Sequence, residues 1–305
     1  MPPKTQHIRE SVYLLNNKYK SNLSVRGEGK FTVSVIITAY NRTKYLLEAL
    51  NSLQKQTIKT FEIVLVTNFS LDLQKFSDLN IKHILLDGSI GQFLFEGVRN
   101  SEGEIIVFMD DDDVFLPEKI ESILQLFHEN KTVYVHNNSS LINDAGRYIR
   151  RLKLKTIDFN LSSISVLRKI INLDILMSIN SHTDKAMYLF ALNNGGRIIS
   201  TKKKLTKYRI HHNNTGEISF RNSEQLCLQM KQIIYFQNQF KECKKCLDLL
   251  RNDIVDATLL CSLSDPSSYN ISRLFKLSTL ALLHLNFRAI QLMCSEIFFI
   301  FIRHS

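Results

Sequence analysis

Residues 105–113 read Ile-Ile-Val-Phe-Met-Asp-Asp-Asp-Asp, an apolar run that ends in four consecutive carboxylates. An unpaired carboxylate is costly to bury, so a buried strand that stops in four of them ends at water or at a cation. The simplest reading is a metal site at the carboxyl end of a strand, the alternative a solvated acidic turn. Side chains alternate along an extended chain, so Asp110 and Asp112 are expected on one side and Asp111 and Asp113 on the other. Oxygen donors two residues apart suit Mg²⁺ or Mn²⁺ with coordination positions left open for phosphate.

Working outward, Thr32 opens Val33-Ser34-Val35-Ile36-Ile37-Thr38-Ala39, whose β-branched density predicts a buried strand. A turn at 40–43 leads into a helix with Leu46, Leu47, Leu50 and Leu53 as its apolar positions, and further strands are expected at Phe61 to Val66 and Ile81 to Leu86. Glycines at 88, 91, 97 and 103 precede Glu104 to Met109, the strand that ends in the acidic run. Pro117 then starts a helix carrying Ile120, Ile123, Leu124 and Phe127 on one face. Strands alternating with helices over this span argue for an α/β fold with a mainly parallel, doubly wound sheet, in which ligands bind at the carboxyl ends of the strands.

Residues 1–30 are polar and read as an N-terminal arm, 31–221 as the sheet domain, and 222–305 as an α-helical C-terminal region. The stretch 271–302 is rich in Leu, Ile and Phe but broken by His284, Arg288 and Glu296. It reads as a packed core helix, as an amphipathic segment at a membrane interface, or as a spanning helix.

With 39 Lys and Arg against 29 Asp and Glu, a formal charge of +10 and a pI near 9.3, the chain favours acidic partners. Its positive charge gathers at Arg147, Arg150, Arg151, Lys153 and Lys155, and again at Lys202, Lys203, Lys204, Lys207 and Arg209. No nucleic-acid-binding motif accompanies these runs, so nucleic acid is not expected as a partner. Apolar content of 44% and charged content of 22% exclude disorder as the main state. The five cysteines, at 227, 243, 246, 261 and 294, have no framework spacing and read as reduced thiols. Together with a polar start from Met1 to Glu10, they suggest a cytoplasmic protein, peripheral on the inner membrane face if the C-terminal helices bind lipid.

With strand, turn and acidic junction aligned, residues 33–117 resemble a family 2 glycosyltransferase of the GT-A fold. The resemblance is carried by Val33 through Arg42, by Leu50, Ser52, Leu53, Gln56 and Thr57, by Phe61 through Val66, and by Gly103 through Asp113 to Pro117-Glu118-Lys119. The strand followed by Asp110, Asp112 and Val114 also resembles the first motif of haloacid-dehalogenase-type phosphatases, whose second acidic pair has no counterpart here.

The glycosyltransferase resemblance implies an inverting transfer from a nucleotide-diphosphate sugar to a glycan or lipid-linked hydroxyl, with Mn²⁺ or Mg²⁺ as cofactor. It implies that Thr38, Ala39, Tyr40, Arg42, Asn68, Asp110 and Asp111 bind the donor nucleotide and that Asp112 binds the metal. Ser181-His182-Thr183-Asp184 resembles the family's acidic pair at a helix start, implying Asp184 as catalytic base. Tyr208-Arg209-Ile210-His211-His212 resembles its closing motif, implying Arg209 over the phosphates and His211, or less favourably His212, at the metal.

Thr67-Asn68 replaces the family's base-reading acidic pair, Thr183 replaces the first acid before Asp184, and Leu94 and Phe95 replace an Arg-Asn. These departures keep open a second reading, a nucleotide-binding scaffold without catalysis.

Overall fold

The structure is a computed structural model that describes residues 32–128, 131–149, 160–211, 223–251 and 253. An eight-stranded mixed sheet runs in the order β3-β2-β1-β4-β7-β6-β8-β5. Its strands are β1 (Val33–Ala39), β2 (Phe61–Thr67), β3 (Ile81–Leu85), β4 (Ile105–Asp110), β5 (Val114–Phe115), β6 (Thr132–Ile142), β7 (Ile164–Leu167) and β8 (Arg197–Arg209). The flanking helices are α1 (Leu46–Gln54), α2 (Ile90–Arg99), α3 (Lys119–Phe127), α4 (Leu173–Met177), α5 (Thr183–Asn194) and α6 (Ser223–Gln239).

β1 is buried at every position because parallel partners, β2 and β4, flank it on both sides. Thr38 sits level with Val66 on one side and with Asp110 on the other, so three parallel strands end at one edge of the sheet. That edge carries the acidic run; the expected α/β arrangement is present as a mixed sheet, parallel through β3-β2-β1-β4 and antiparallel where β7 joins β4 and β6 and where β5 joins β8.

The helices bury the faces expected of them with one exception. Leu46, Leu50 and Leu53 of α1 are buried, but Leu47 is 43% exposed because it lies outside the 3.6-residue stripe that the other three define. α3 buries Ile120, Ile123, Leu124 and Phe127, and begins two residues after Pro117.

The later strands escaped the sequence reading. β6 crosses His136-Asn137-Asn138-Ser139-Ser140 and β8 crosses Lys202-Lys203-Lys204, so neither shows the alternation that marks a strand. Register holds them instead: β6 pairs antiparallel with β7 and parallel with β8 through three register irregularities. The second basic run is therefore divided, with Lys202, Lys203 and Lys204 exposed and Arg209 buried.

Beyond the sheet, Ile233, Phe236, Phe240, Cys246 and Leu250 join the same buried core, and the Phe240 ring meets Phe190 of α5 at 5.8 Å. Cys243 and Cys246, expected as reduced thiols, form a disulfide, because the turn before the last described helical residues brings their Cα atoms to 5.2 Å. Among the described residues no helix is long and apolar enough to cross a membrane. The arm at 1–30, most of the first basic run and the apolar stretch at 271–302 lie outside the described residues.

Gly91 is a point of close approach between α2 and the segment that follows α4. Its N–H donates to the Ile179 carbonyl at 3.0 Å, and a Cβ there would collide with the backbone oxygens of Ile179 and Leu176. Gly91→Ala should lower stability by about 1–3 kcal/mol, read as a shift of the urea midpoint at unchanged slope.

Candidate active site

β4 ends at Asp110, and the Asp113 N–H turns back to the Asp110 carbonyl at 3.3 Å. The acidic run is thus a turn, and the expected alternation of its side chains fails. Arg42 instead reaches two adjacent carboxylates, Asp111 at 2.5 Å and Asp112 at 3.2 Å. The Asp110 N–H donates to the Ser162 hydroxyl at 2.8 Å, anchoring the end of β4 to the segment before β7.

Crowding and burial act together on these acids. Burial and the charges of Asp112 and Asp111 push Asp110 up to about 8, against the pull of Arg42. Asp111 is raised to about 6 by burial and by Asp112. Asp113 is fully buried and also raised: one oxygen accepts from the Arg209 N–H at 2.9 Å, and Oδ2 has no hydrogen-bond partner among the described residues. Beneath the turn lies Lys119, fully buried, donating to Asn137 at 3.0 Å, the Ser162 carbonyl at 2.6 Å and Thr206 at 2.9 Å. Burial pushes the Lys119 ammonium well below its usual range while the charge of Asp113 opposes that shift.

Arg209 and His211 close the turn from β8 and from just beyond it. The His211 imidazole and Asp112 meet at 2.9 Å, and the His211 ring lies 5.5 Å from Tyr45. Arg209, expected over the donor phosphates, is turned to another use. Its side chain is fully buried and donates to the Asp112 carbonyl at 2.8 Å, to the Asn143 and Asp144 carbonyls at 3.0 and 3.1 Å, and to Glu48 at 2.5 Å. The guanidinium lies 4.3 Å from the Tyr45 ring centre. It fixes the backbone of the acidic turn from below, so its burial, not its charge toward a ligand, explains its place.

At the end of β1, Thr38 and Ala39 are buried and Tyr40 is 49% exposed, edge-on to Phe93 at 5.9 Å. Asn41 takes a left-handed backbone, φ 53°, which Asn tolerates better than most residues. Asn68 braces it: the Asn68 carbonyl oxygen accepts from the Asn41 N–H at 2.8 Å and its amide donates to the Asn41 side chain at 2.7 Å. This pair sets the turn from which Arg42 reaches the acids. Asn68, expected at the nucleobase, is placed at the rim of the same edge with its amide engaged in that brace.

Asp184 is the second residue of α5, behind His182 at φ 58°. Its carboxylate accepts from the Lys185 N–H at 2.8 Å, while the Lys185 side chain turns away to Asp253 at 2.7 Å. Burial raises the Asp184 carboxyl, and its charge is near enough to Asp110 to help raise that group in turn. The structure thus brings Arg42, Asp110 to Asp113, Asp184 and His211 to one edge; His212 lies outside the described residues.

Among the described residues no group of three or more His, Cys, Asp or Glu side chains is arranged to hold a metal ion. Asp112 and His211 are nonetheless a convergent oxygen and nitrogen donor pair, set beside Asp110 and Asp111, whose carboxyls burial and mutual repulsion raise above the usual carboxylate range. In donor chemistry this set fits a divalent cation. Glu48 and Ser162 support the site without any local signal in the sequence, and Asn41 and Lys119 lie in stretches that carry the family resemblance without a role assigned to either.

Comparison with known proteins agrees with this geometry. A Rickettsia felis protein described as an uncharacterized glycosyltransferase is 34% identical over 125 residues, 38% of this chain and 21% of that protein. The O-antigen biosynthesis glycosyltransferase WbnJ of Escherichia coli is 28% identical over 130 residues, 40% of this chain and 51% of the relative. The chain thus spans about a fifth of the length of the first of these relatives and about half of the second.

Among solved structures, S. aureus TarS 1-349 in complex with UDP-GlcNAc superposes with a TM-score of 0.54 at 20% identity, covering 76% of this chain and 72% of that one. The mannosyltransferase PcManGT from Pyrobaculum calidifontis, in complex with GDP-Man and Mn²⁺, gives 0.51 at 15% identity over 92% of this chain and 90% of that one. These likenesses establish a GT-A-type fold. The residue pattern of glycosyl transferase family 2 matches positions 34–195, more than half of the 305 residues, and the chain belongs to that family.

Proposed function

We propose that the chain transfers a sugar from a nucleotide-diphosphate donor to an acceptor hydroxyl, with inversion at the anomeric carbon and with a divalent cation, in the assembly of a polysaccharide or lipid-linked glycan. The observation that carries this reading is the four-carboxylate turn at the carboxyl edge of the sheet, with Arg42 at its mouth and Asp184 beside it. The E. coli relative is named for O-antigen biosynthesis, and the two structural neighbours hold UDP-GlcNAc and GDP-Man with Mn²⁺, which supports a donor of this class.

Asp112 and His211 would hold the cation, with Asp110 beside them. When bound, such a cation neutralises charge developing on the departing diphosphate. Arg42, partly exposed beside Asp111 and Asp112, offers a fixed positive charge at the same place. Tyr40 provides an exposed ring for the donor's base, and Thr38 and Ala39 form the floor at the end of β1. Asp184 takes the proton from the acceptor hydroxyl; burial moves its pKa upward, toward the range in which a carboxylate serves as a base near neutrality. Arg209 keeps the turn in shape so that Asp112 stays aimed at the cleft.

Release of nucleotide diphosphate from UDP-GlcNAc or GDP-mannose should fall about 10²- to 10⁴-fold in Asp184→Asn, with nucleotide affinity nearly unchanged. Equal turnover in the variant would remove Asp184 from the chemistry, and nucleotide binding without turnover in the wild-type chain would establish the non-catalytic scaffold.

The raised acids set a pH dependence. An unfolded aspartate titrates near about 3.9, whereas folded Asp111 and Asp110 titrate at about 6 and about 8. Between these values the folded chain binds more protons than the unfolded one, so stability falls as pH rises. In chelator the urea midpoint should therefore drop from pH 5 to pH 8, and Mn²⁺ should restore it more at pH 8 than at pH 5. Burial holds His136 and His182 at about 4, which adds stability as pH rises, so the acids are read from Asp110→Asn: a drop as large in that variant as in wild type would contradict the buried-acid reading.

A further inference from the structure

A separate cavity of about 390 Å³ opens between the end of β6 and the hairpin that follows it, lined by Asn138, Ser139, Ser140, Tyr148 and Lys204 together with Leu141 and Ile149. Its size falls in the ~300–1,000 Å³ range of small-molecule sites. Strand register places it on the ligand-binding edge. Val107 pairs with Ser165, and Ser165 pairs with Val135, so the residues three beyond Val135 lie level with Asp110. Hydrogen bonds make the same link: Ser139 bonds Ser163 at 2.6 Å, and the neighbouring Ser162 hydroxyl accepts from the Asp110 N–H at 2.8 Å.

The walls are preformed. The Ile149 N–H donates to Leu141 at 3.0 Å and the Asn143 N–H to Arg147 at 3.0 Å, while the Asn143 side chain accepts from the Ala145 and Arg147 N–H groups. Gly146, at φ 73°, makes the turn. The hairpin tip is tied to the catalytic side through the Arg209 bonds to Asn143 and Asp144, and Asp144 accepts from Lys44 and from the Tyr45 hydroxyl.

The lining has one sign of charge. Lys204 faces the cavity, Lys207 stands 5.2 Å over the Tyr148 ring, Lys202, Lys203 and Arg147 are exposed nearby, and among the described residues no carboxylate lines the walls. Tyr148, 64% exposed, offers a ring face of the kind on which a sugar packs, and Ser139, Ser140 and Asn138 offer hydroxyl and amide partners.

We propose that this cavity binds the acceptor and selects one that carries a phosphate, with Lys204 on the phosphate, Tyr148 against the sugar ring and Ser139 and Ser140 on hydroxyls. The identification as an acceptor site rests on the transferase reading above; the cavity's preference for a phosphorylated sugar does not.

The test is binding of glucose 6-phosphate, glucose and inorganic phosphate to the full chain, with UDP and Mn²⁺ measured on the same samples. Lys204→Gln should weaken glucose 6-phosphate about fivefold, the size of one exposed charge pair, and Tyr148→Ala about threefold or more. UDP binding should be unchanged in both variants, which shows that they fold. Glucose 6-phosphate binding that is absent, or equal in wild type and both variants, overturns the proposal. Glucose binding as tightly as its phosphate removes the phosphate role, and inorganic phosphate binding as tightly reduces the cavity to a bare anion site. Glucose 6-phosphate bound through Lys204 by a chain that binds no UDP keeps the cavity assignment and defeats the transferase reading instead.

Discussion

Four carboxylates in succession at the end of a strand buried along its length must be neutralised within a few ångströms, and the architecture around Asp110 to Asp113 is arranged by that demand. Arg42 comes from the turn after β1, Lys119 from the start of α3, Arg209 from the end of β8 and His211 from the residue pair beyond it. These basic groups come from three separate parts of the chain, the turn after β1, the start of α3 and the end of β8, which the sheet brings together. Even so, Asp110, Asp111 and Asp113 all remain raised by burial and by one another's charge. Its own protein partners leave this site short of positive charge, which the divalent cation proposed above would supply.

Within this arrangement the basic groups divide their labour by burial. Arg42 keeps part of its guanidinium at the surface and touches the acids from the cleft side. Arg209 is sealed off, and its bonds go mostly to backbone carbonyls, which suits a group that holds a loop and not one that meets a ligand. The same bonds tie the hairpin at 143–149 to the acidic turn, so the cavity beside Tyr148 and the site at Asp112 share one rigid support.

Much of the first half of the fold was legible because β1, β2 and β4 are continuous apolar runs separated by helical stripes. The second half was not. β6 and β8 are polar or lysine-rich, and they are strands because β7 and the edge of the sheet supply partners, not because their own residues favour extension. In the site, the four acids were readable from the run itself, and Arg42, Asp184 and His211 were named only through the family resemblance; the structure brings them to the same edge. The alternation of the acids was misjudged because the chain turns immediately after Asp110, a bend without a glycine or proline to announce it. Arg209 was recognised by position, but its burial depends on Glu48, Tyr45 and the hairpin, all distant in sequence. Lys119 was visible only as part of a motif; that its ammonium is buried beneath the acids requires the packed sheet.

The account stands or falls on whether this edge holds a nucleotide diphosphate through a divalent cation. The most direct measurement is the thermal stabilisation of the purified chain by UDP, GDP, dTDP and CDP, each with Mn²⁺ or with chelator. A rise in Tm with one nucleotide that chelator abolishes is the predicted result and identifies the donor base. The absence of any shift with all four, in the presence of Mn²⁺, would contradict it.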